Sequence, residues 1–258
     1  MGEISRQKAK KVFRDYVAKF DLNDERIQLK IKHTYRVAEL CERIAIDLGI
    51  SNEDRELAWF IGLLHDFGRF EQLKRYHTFI DAKSVDHGQL GVELLFEEGK
   101  IQSFLETRKY DAWIRTAIWY HSVYKLPDNL SDKEEMFCKI LRDADKIDIL
   151  RVNVETPVSV IYDTGDKEVC NATVTQDVMD SFLAHETILH SKKKTIVDRF
   201  VGHLSLVFGL EYPCSIQIVK EQGYYKKLLC FQSENAITNR QFREISKCME
   251  EYLDKTGK

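Results

Sequence analysis

Proline and glycine are scarce, 3 and 12 among 258 residues, so little interrupts the chain. Long apolar runs are missing too. No stretch approaches the ~18 uncharged apolar residues that a membrane span requires, and the opening MGEISRQKAKKVF lacks the apolar core of a signal peptide. Neither a membrane partner nor export is expected, and the expected location is cytoplasmic. The six cysteines, at 41, 138, 170, 214, 230 and 248, form no C-x-x-C pair or other thiolate metal spacing, and they read as buried thiols in a reducing compartment. An excess of one charge is also lacking. Basic residues number 39 and acidic residues 42, the net charge is -3 and the pI is near 6.3, which gives no electrostatic case for a nucleic-acid partner. Lys192-Lys193-Lys194 is the one basic run and reads as a solvated helix end or loop.

What is present is a steady three- and four-residue spacing of apolar side chains, the signature of amphipathic helices. With 43% hydrophobic and 31% charged residues the whole length should fold. The expected fold class is all-α. Helices are expected roughly over 3–20, 27–48, 52–67, 86–97, 101–108, 110–124, 132–153 and 175–210, with two or three more from 215 onward. A short hairpin is compatible with VSVIY and DTGDKE between 156 and 175. The chemistry concentrates in residues 1–155, expected as one core, with 156–258 a mostly helical extension that serves as packing, a substrate-side wall or an association surface. A homodimer is left open.

In HTYRVAELCERIAIDLG, His33, Val37, Leu40, Cys41, Ile44 and Leu48 share one helix face, and Gly49 can end that helix. After a short connector with Ser51 as N-cap, a second helix carries Leu57, Ile61 and Leu64 and ends in His65-Asp66. Leu48 lies fifteen positions after His33, and His65 fourteen positions after Ser51. At ~1.5 Å per residue, two antiparallel legs of about 21 to 23 Å bring His33 and His65 side by side. Further on, Cys138, Leu141, Asp145, Ile149 and Val152 fall at spacings of three and four, which sets Asp145 in an apolar stripe. An unpaired carboxylate there is costly, and a cation is one of the few partners that offsets the cost. His87 and His121 fall on apolar helix faces in the same way.

The order His33, then His65-Asp66, then Asp145, within HTYRVAELC, LLHDFGR and DADKID, resembles the H…HD…D signature of the HD-domain phosphohydrolases over about residues 27–152. The resemblance implies an HD-type helical bundle in which His33, His65, Asp66 and Asp145 hold a divalent metal. His87 and His121 stand where bimetallic members carry extra ligands, which implies a second ion shared through Asp66. Those members include cyclic-dinucleotide phosphodiesterases and dinucleoside-polyphosphate hydrolases. This chain departs from the former, with Arg69 in place of their lysine after the HD pair and no G-Y-P element, so cyclic dinucleotides are a poor match.

Imidazoles and carboxylates without thiolates suit Fe, Mn, Zn, Co or Ni. The implied activity is cleavage of a phosphoester or phosphoanhydride of a small, nucleotide-like substrate by a metal-activated water, with Asp66, Arg69 and Lys146 in catalytic roles. The polar stretch RFEQLKRYHTFIDAKSVD reads as a lid or pocket wall. Its Arg69, Lys74, Arg75, His77 and Lys83, together with Lys146, are the candidates to hold phosphate oxygens. Asp143 and Asp148 read as structural neighbours of Asp145. His185, His190 and His203 receive no role, though the first two could line a far wall. Two rivals remain: an HD-type di-iron oxygenase on the same ligands, and a nucleotide or metal sensor without turnover.

Overall fold

The computed structural model of the chain describes residues 4–157, 160–161 and 171–256. Helices dominate the described residues, and no strand occurs among them, in keeping with an all-α fold. None of those helices is long and apolar enough to cross a membrane. The hairpin considered between 156 and 175 lies largely outside the described residues.

The chain divides into two compact units, 1–144 and 145–258. The division falls inside one helix, eleven residues before the boundary expected at 155. In the first unit lie α1 (Arg6–Val17), α2 (Glu25–Asp47), α3 (Asn52–Leu64), α4 (Phe67–Tyr76), α5 (His87–Val92), α6 (Ile101–Phe104) and α7 (Asp111–Tyr120). Helix α8 (Asp132–Glu155) begins there and ends in the second unit. The second unit continues with α9 (Gln176–Leu183), α10 (Ile196–Leu204), α11 (Pro213–Gln222), α12 (Tyr224–Leu229) and α13 (Ala236–Thr256).

The α2–α3 pair frames the first unit. Asp24 caps α2 by accepting the Arg26 amide at 2.8 Å. At the other end the Gly49 amide donates to the Ile46 carbonyl and the Ile50 amide to the Ala45 carbonyl, the paired bonds that close a helix. Ser51 then starts α3 by accepting the Asp54 amide. The two helices bury Val37, Ala38, Cys41 and Ile44 against Leu57, Ala58, Ile61 and Leu64, and each large side chain removed from water there contributes about 1.5–3 kcal/mol. Gly62 permits the closest approach, since a Cβ on it would stand 2.7 Å from the Ala38 Cα.

Three expectations change. Residues 69–76 of the stretch read as a lid belong to helix α4, because Phe67, Phe70 and Leu73 give it a buried face; the rest, 77–86, holds only a short 3-10 turn at Asp81–Lys83. The single helix expected over 175–210 is two helices. His185 turns into the left-handed region (φ 59°) after α9, and Thr195 opens α10 with a reciprocal cap to Asp198. Among the thiols, Cys41, Cys138 and Cys248 are buried as expected, but Cys230 is exposed and Cys214 only half-buried. Burial pushes the Cys138 thiol up to about 12, so it carries no nucleophilic chemistry.

Candidate metal centre

Helix ends place three of the four imidazoles. His65 closes α3, and its Nδ1–H donates to the carbonyl of Gly62, three residues back, at 2.7 Å. His121 closes α7 in the same manner, its Nδ1–H on the Ile118 carbonyl at 2.7 Å. Both carbonyls belong to a last helical turn, where no amide follows to take them. A carbonyl only accepts, so the Nε2 of each neutral ring carries the lone pair. His87 opens α5 behind its cap Asp86, and its Nδ1–H donates to Asp81 Oδ2 at 2.7 Å, which aims its Nε2 inward as well. His33 comes from the buried face of α2.

Asp66 occupies the N-cap position of α4, where an aspartate ordinarily binds the amides of the first turn. Its side chain makes no such bond. The carboxylate is turned instead toward the imidazoles. Oδ2 lies 3.6 Å from His33 Nε2 and 3.4 Å from His65 Nε2, and these two nitrogens are 3.3 Å apart. Oδ1 lies 3.5 Å from His87 Nε2 and 4.0 Å from His121 Nε2, themselves 2.8 Å apart. All five side chains are at most 4% exposed. Packing fixes the turn: Tyr16 stacks on Phe67 at 3.8 Å and donates to the Phe67 carbonyl. Gly68 lets α4 meet α5, since a Cβ on it would come within 2.3 Å of the His87 carbonyl oxygen.

Two groups of potential ligands therefore share one carboxylate, His33–His65–Asp66 and Asp66–His87–His121, each with its ligand atoms within 4.8 Å of one another. Bonds of about 2.0–2.2 Å to one ion at tetrahedral angles leave ligand atoms about 3.4 Å apart. The first group matches that spacing closely, and the second scatters around it. Lone-pair nitrogens facing each other at 2.8 Å repel unless a cation stands between them. A proton is a poor substitute at His87, because burial and the Arg69 guanidinium lower its pKa against the opposing pull of Asp81 and Asp66. The residues fit divalent metal ions.

Burial alone would raise the Asp66 carboxyl. Lys30, His65 and Arg69 outweigh it and hold the group well below the usual carboxylate range. Lys30, whose Nζ lies 2.7 Å from Asp66 Oδ2, is absent from the sequence-based candidates, although it precedes His33 by one turn on the same face. Asp81 escaped notice because it reaches His87 through an irregular loop that no periodicity marks. That loop is tied down by Gln72, whose Nε2 donates to Asp81 Oδ1, Ser84 Oγ and the Val85 carbonyl, each at 2.9 Å. Arg142 likewise holds the end of α7 by donating to the carbonyls of Tyr120, Val123 and Tyr124.

The basic candidates separate. Arg69 is beside the carboxylates, its Nε 3.6 Å from Asp66 Oδ1, and is held by Gln72, the Phe79 carbonyl and Asp81. Lys74, His77 and Lys83 are exposed, and Arg75, also exposed, pairs with Glu71. Asp145 and Lys146 belong to the second unit. Asp145 is half-buried, while Asp143 and Asp148 are almost fully buried; of the stripe expected around Asp145, Cys138 and Leu141 are fully buried and Ile149 and Val152 only half-buried. Lys146 donates to the Gly209 carbonyl.

Residues 31–151 match the family model of the HD domain. The chain carries an HD domain. The superfamily consists mostly of metal-dependent phosphohydrolases, and the two ligand groups of this HD domain accord with divalent metal binding. No curated protein and no solved structure matches the chain.

Proposed function

We propose that this HD domain is a binuclear metal-dependent phosphohydrolase that cleaves a phosphoester or phosphoanhydride of a small, nucleotide-like substrate. One observation carries the reading: the two oxygens of Asp66 each face a different pair of imidazole nitrogens. Divalent metal held by His33, His65 and Asp66 and by Asp66, His87 and His121 would supply an activated water and offset charge that grows on phosphoryl oxygens. The chain's own residues do the rest. Backbone carbonyls and Asp81 lock the imidazole tautomers, and their hydrogen bonds raise the basicity of the nitrogens that bind. Asp66 stays ionised under its cations, and Arg69 sets the Asp81–His87 pair. The resemblance adds Asp145 as a further ligand and Lys146 as a substrate contact. Burial raises the Cys138 and Cys248 thiols above their usual range, which makes them poor competing nucleophiles.

The test is metal analysis of the purified protein followed by a phosphate-release screen across nucleotides, dinucleoside polyphosphates and phosphomonoesters. Metal near two ions per chain with metal-dependent release is the expected result. Oxygen consumption by iron-loaded protein without phosphate release would replace the reading with an oxygenase, and nucleotide binding without turnover would replace it with a sensor.

A further inference from the structure

Two cations sit on the bridging carboxylate, and their surroundings differ. Arg69 approaches Asp66 Oδ1 at 3.6 Å but donates elsewhere, to Gln72 Oε1 at 2.8 Å and to the Phe79 carbonyl and Asp81 Oδ1 at 2.6 Å. It is fixed whatever happens at Asp66. The Lys30 ammonium has Asp66 Oδ2 at 2.7 Å as its one hydrogen-bonded partner among the described residues, with the face of Phe79 at 5.6 Å beside it. Its side chain is 19% exposed at the rim of a carboxylate that is 2% exposed. Four methylenes give it reach.

The oxygen that Lys30 holds is also the one that faces His33 and His65. A divalent ion bound by that triad and an ammonium on the same oxygen repel each other, so binding of the ion weakens the Lys30–Asp66 pair, and by reciprocity the pair weakens binding of the ion. Once displaced, Lys30 needs another anion within the reach of its stem. Asp66 is the one negative charge within the two ligand groups, so two divalent ions leave a surplus of positive charge that favours a multiply charged ligand.

We propose that Lys30 is a phosphate-binding residue of this site, held on Asp66 until a divalent ion takes that carboxylate and then turned to the oxygens of the substrate's phosphoryl group. The inference rests on the metal-dependent reading above and extends it to a residue outside the HD signature. Lys30 serves both as a counter-ion and as a ligand.

The experiment uses the full chain stripped with a chelator and compares wild type with Lys30→Met, Lys30→Gln and Lys30→Arg, after circular dichroism has established that each variant is folded. Mn²⁺ is titrated against a chromophoric chelator, and inorganic phosphate is then titrated calorimetrically into the Mn²⁺-loaded proteins. The two uncharged variants should bind Mn²⁺ about tenfold more tightly and phosphate at least about tenfold more weakly, while Lys30→Arg should stay near wild type in both. Equal phosphate affinity in wild type and the uncharged variants, or weaker Mn²⁺ binding by those variants, overturns the proposal. Because phosphate is titrated directly, a wild type that hydrolyses no ester yet shows this pattern would remove the hydrolase reading and leave the role of Lys30 standing.

Discussion

Each unit buries a carboxylate, and the two are used in opposite ways. Asp198, 0% exposed in the second unit, receives the amides of Thr175, Lys194 and Thr195 at 2.8 to 2.9 Å and the Thr175 hydroxyl at 3.1 Å. Neutral donors surround it, and its work is to open α10 and pin the chain before α9. Asp66, almost as deeply buried in the first unit, also stands at a helix start but its side chain accepts none of the first-turn amides. Imidazole acceptors and two cations face it instead. A buried acid becomes a site through what surrounds it: backbone amides consume the charge, whereas lone pairs leave it for a metal.

The comparison yields tests of decreasing size. Asp66→Ala should abolish metal loading at both groups, and hydrolysis with it, while the metal-free protein keeps its fold; metal content by elemental analysis and a thermal melt check both halves. Asp198→Ala should do the reverse, with about 2–4 kcal/mol lost in a denaturant titration, because several buried donors lose their acceptor, and with unchanged metal per chain. Should either acid behave like the other, the contrast fails. Asp81→Asn sharpens it within the first unit. The second-group affinity should fall about 10–100-fold and His33–His65–Asp66 should be spared, as read from two-step metal titrations.

The smallest effect concerns protons. Burial, together with Lys193 and Arg199, lowers His203 to about 3 against the pull of Asp145, while its Nδ1–H donates to Asn153 Oδ1 at 2.9 Å. An unfolded histidine titrates near ~6.5. Between those values the unfolded chain binds a proton that the folded chain refuses, so stability is full above the upper value and falls as the pH drops through the window. The slope from this residue is at most ~1.4 kcal/mol per pH unit. Denaturant midpoints measured from pH 7 to 5 should show it, and His203→Leu should flatten the profile.

Much of the site was legible because it depends on local periodicity. His33 on its helix face, the matched legs of α2 and α3, and the inward settings of His87 and His121 all follow from residue spacing. Lys30 was within reach of the same rule and went unread, since a lysine on a helix is ordinarily solvated. Asp81 and Gln72 were beyond it, because their contacts cross an irregular loop. The break in the helix expected over 175–210 was hidden as well: a histidine in the left-handed region and a reciprocal cap stop a pattern whose apolar spacing alone would continue.

By itself the sequence determined an all-helical chain, the inward setting of His33, His87 and His121, and the HD order of histidines and aspartates. Repeating apolar spacing and helix rise are local properties, so they can be read one segment at a time. Only the tertiary structure decided that the two oxygens of Asp66 divide between two pairs of imidazoles and that Lys30 shares one of those oxygens. Those outcomes depend on how helix ends from distant segments meet, at distances of about 3 Å that no spacing along the chain encodes.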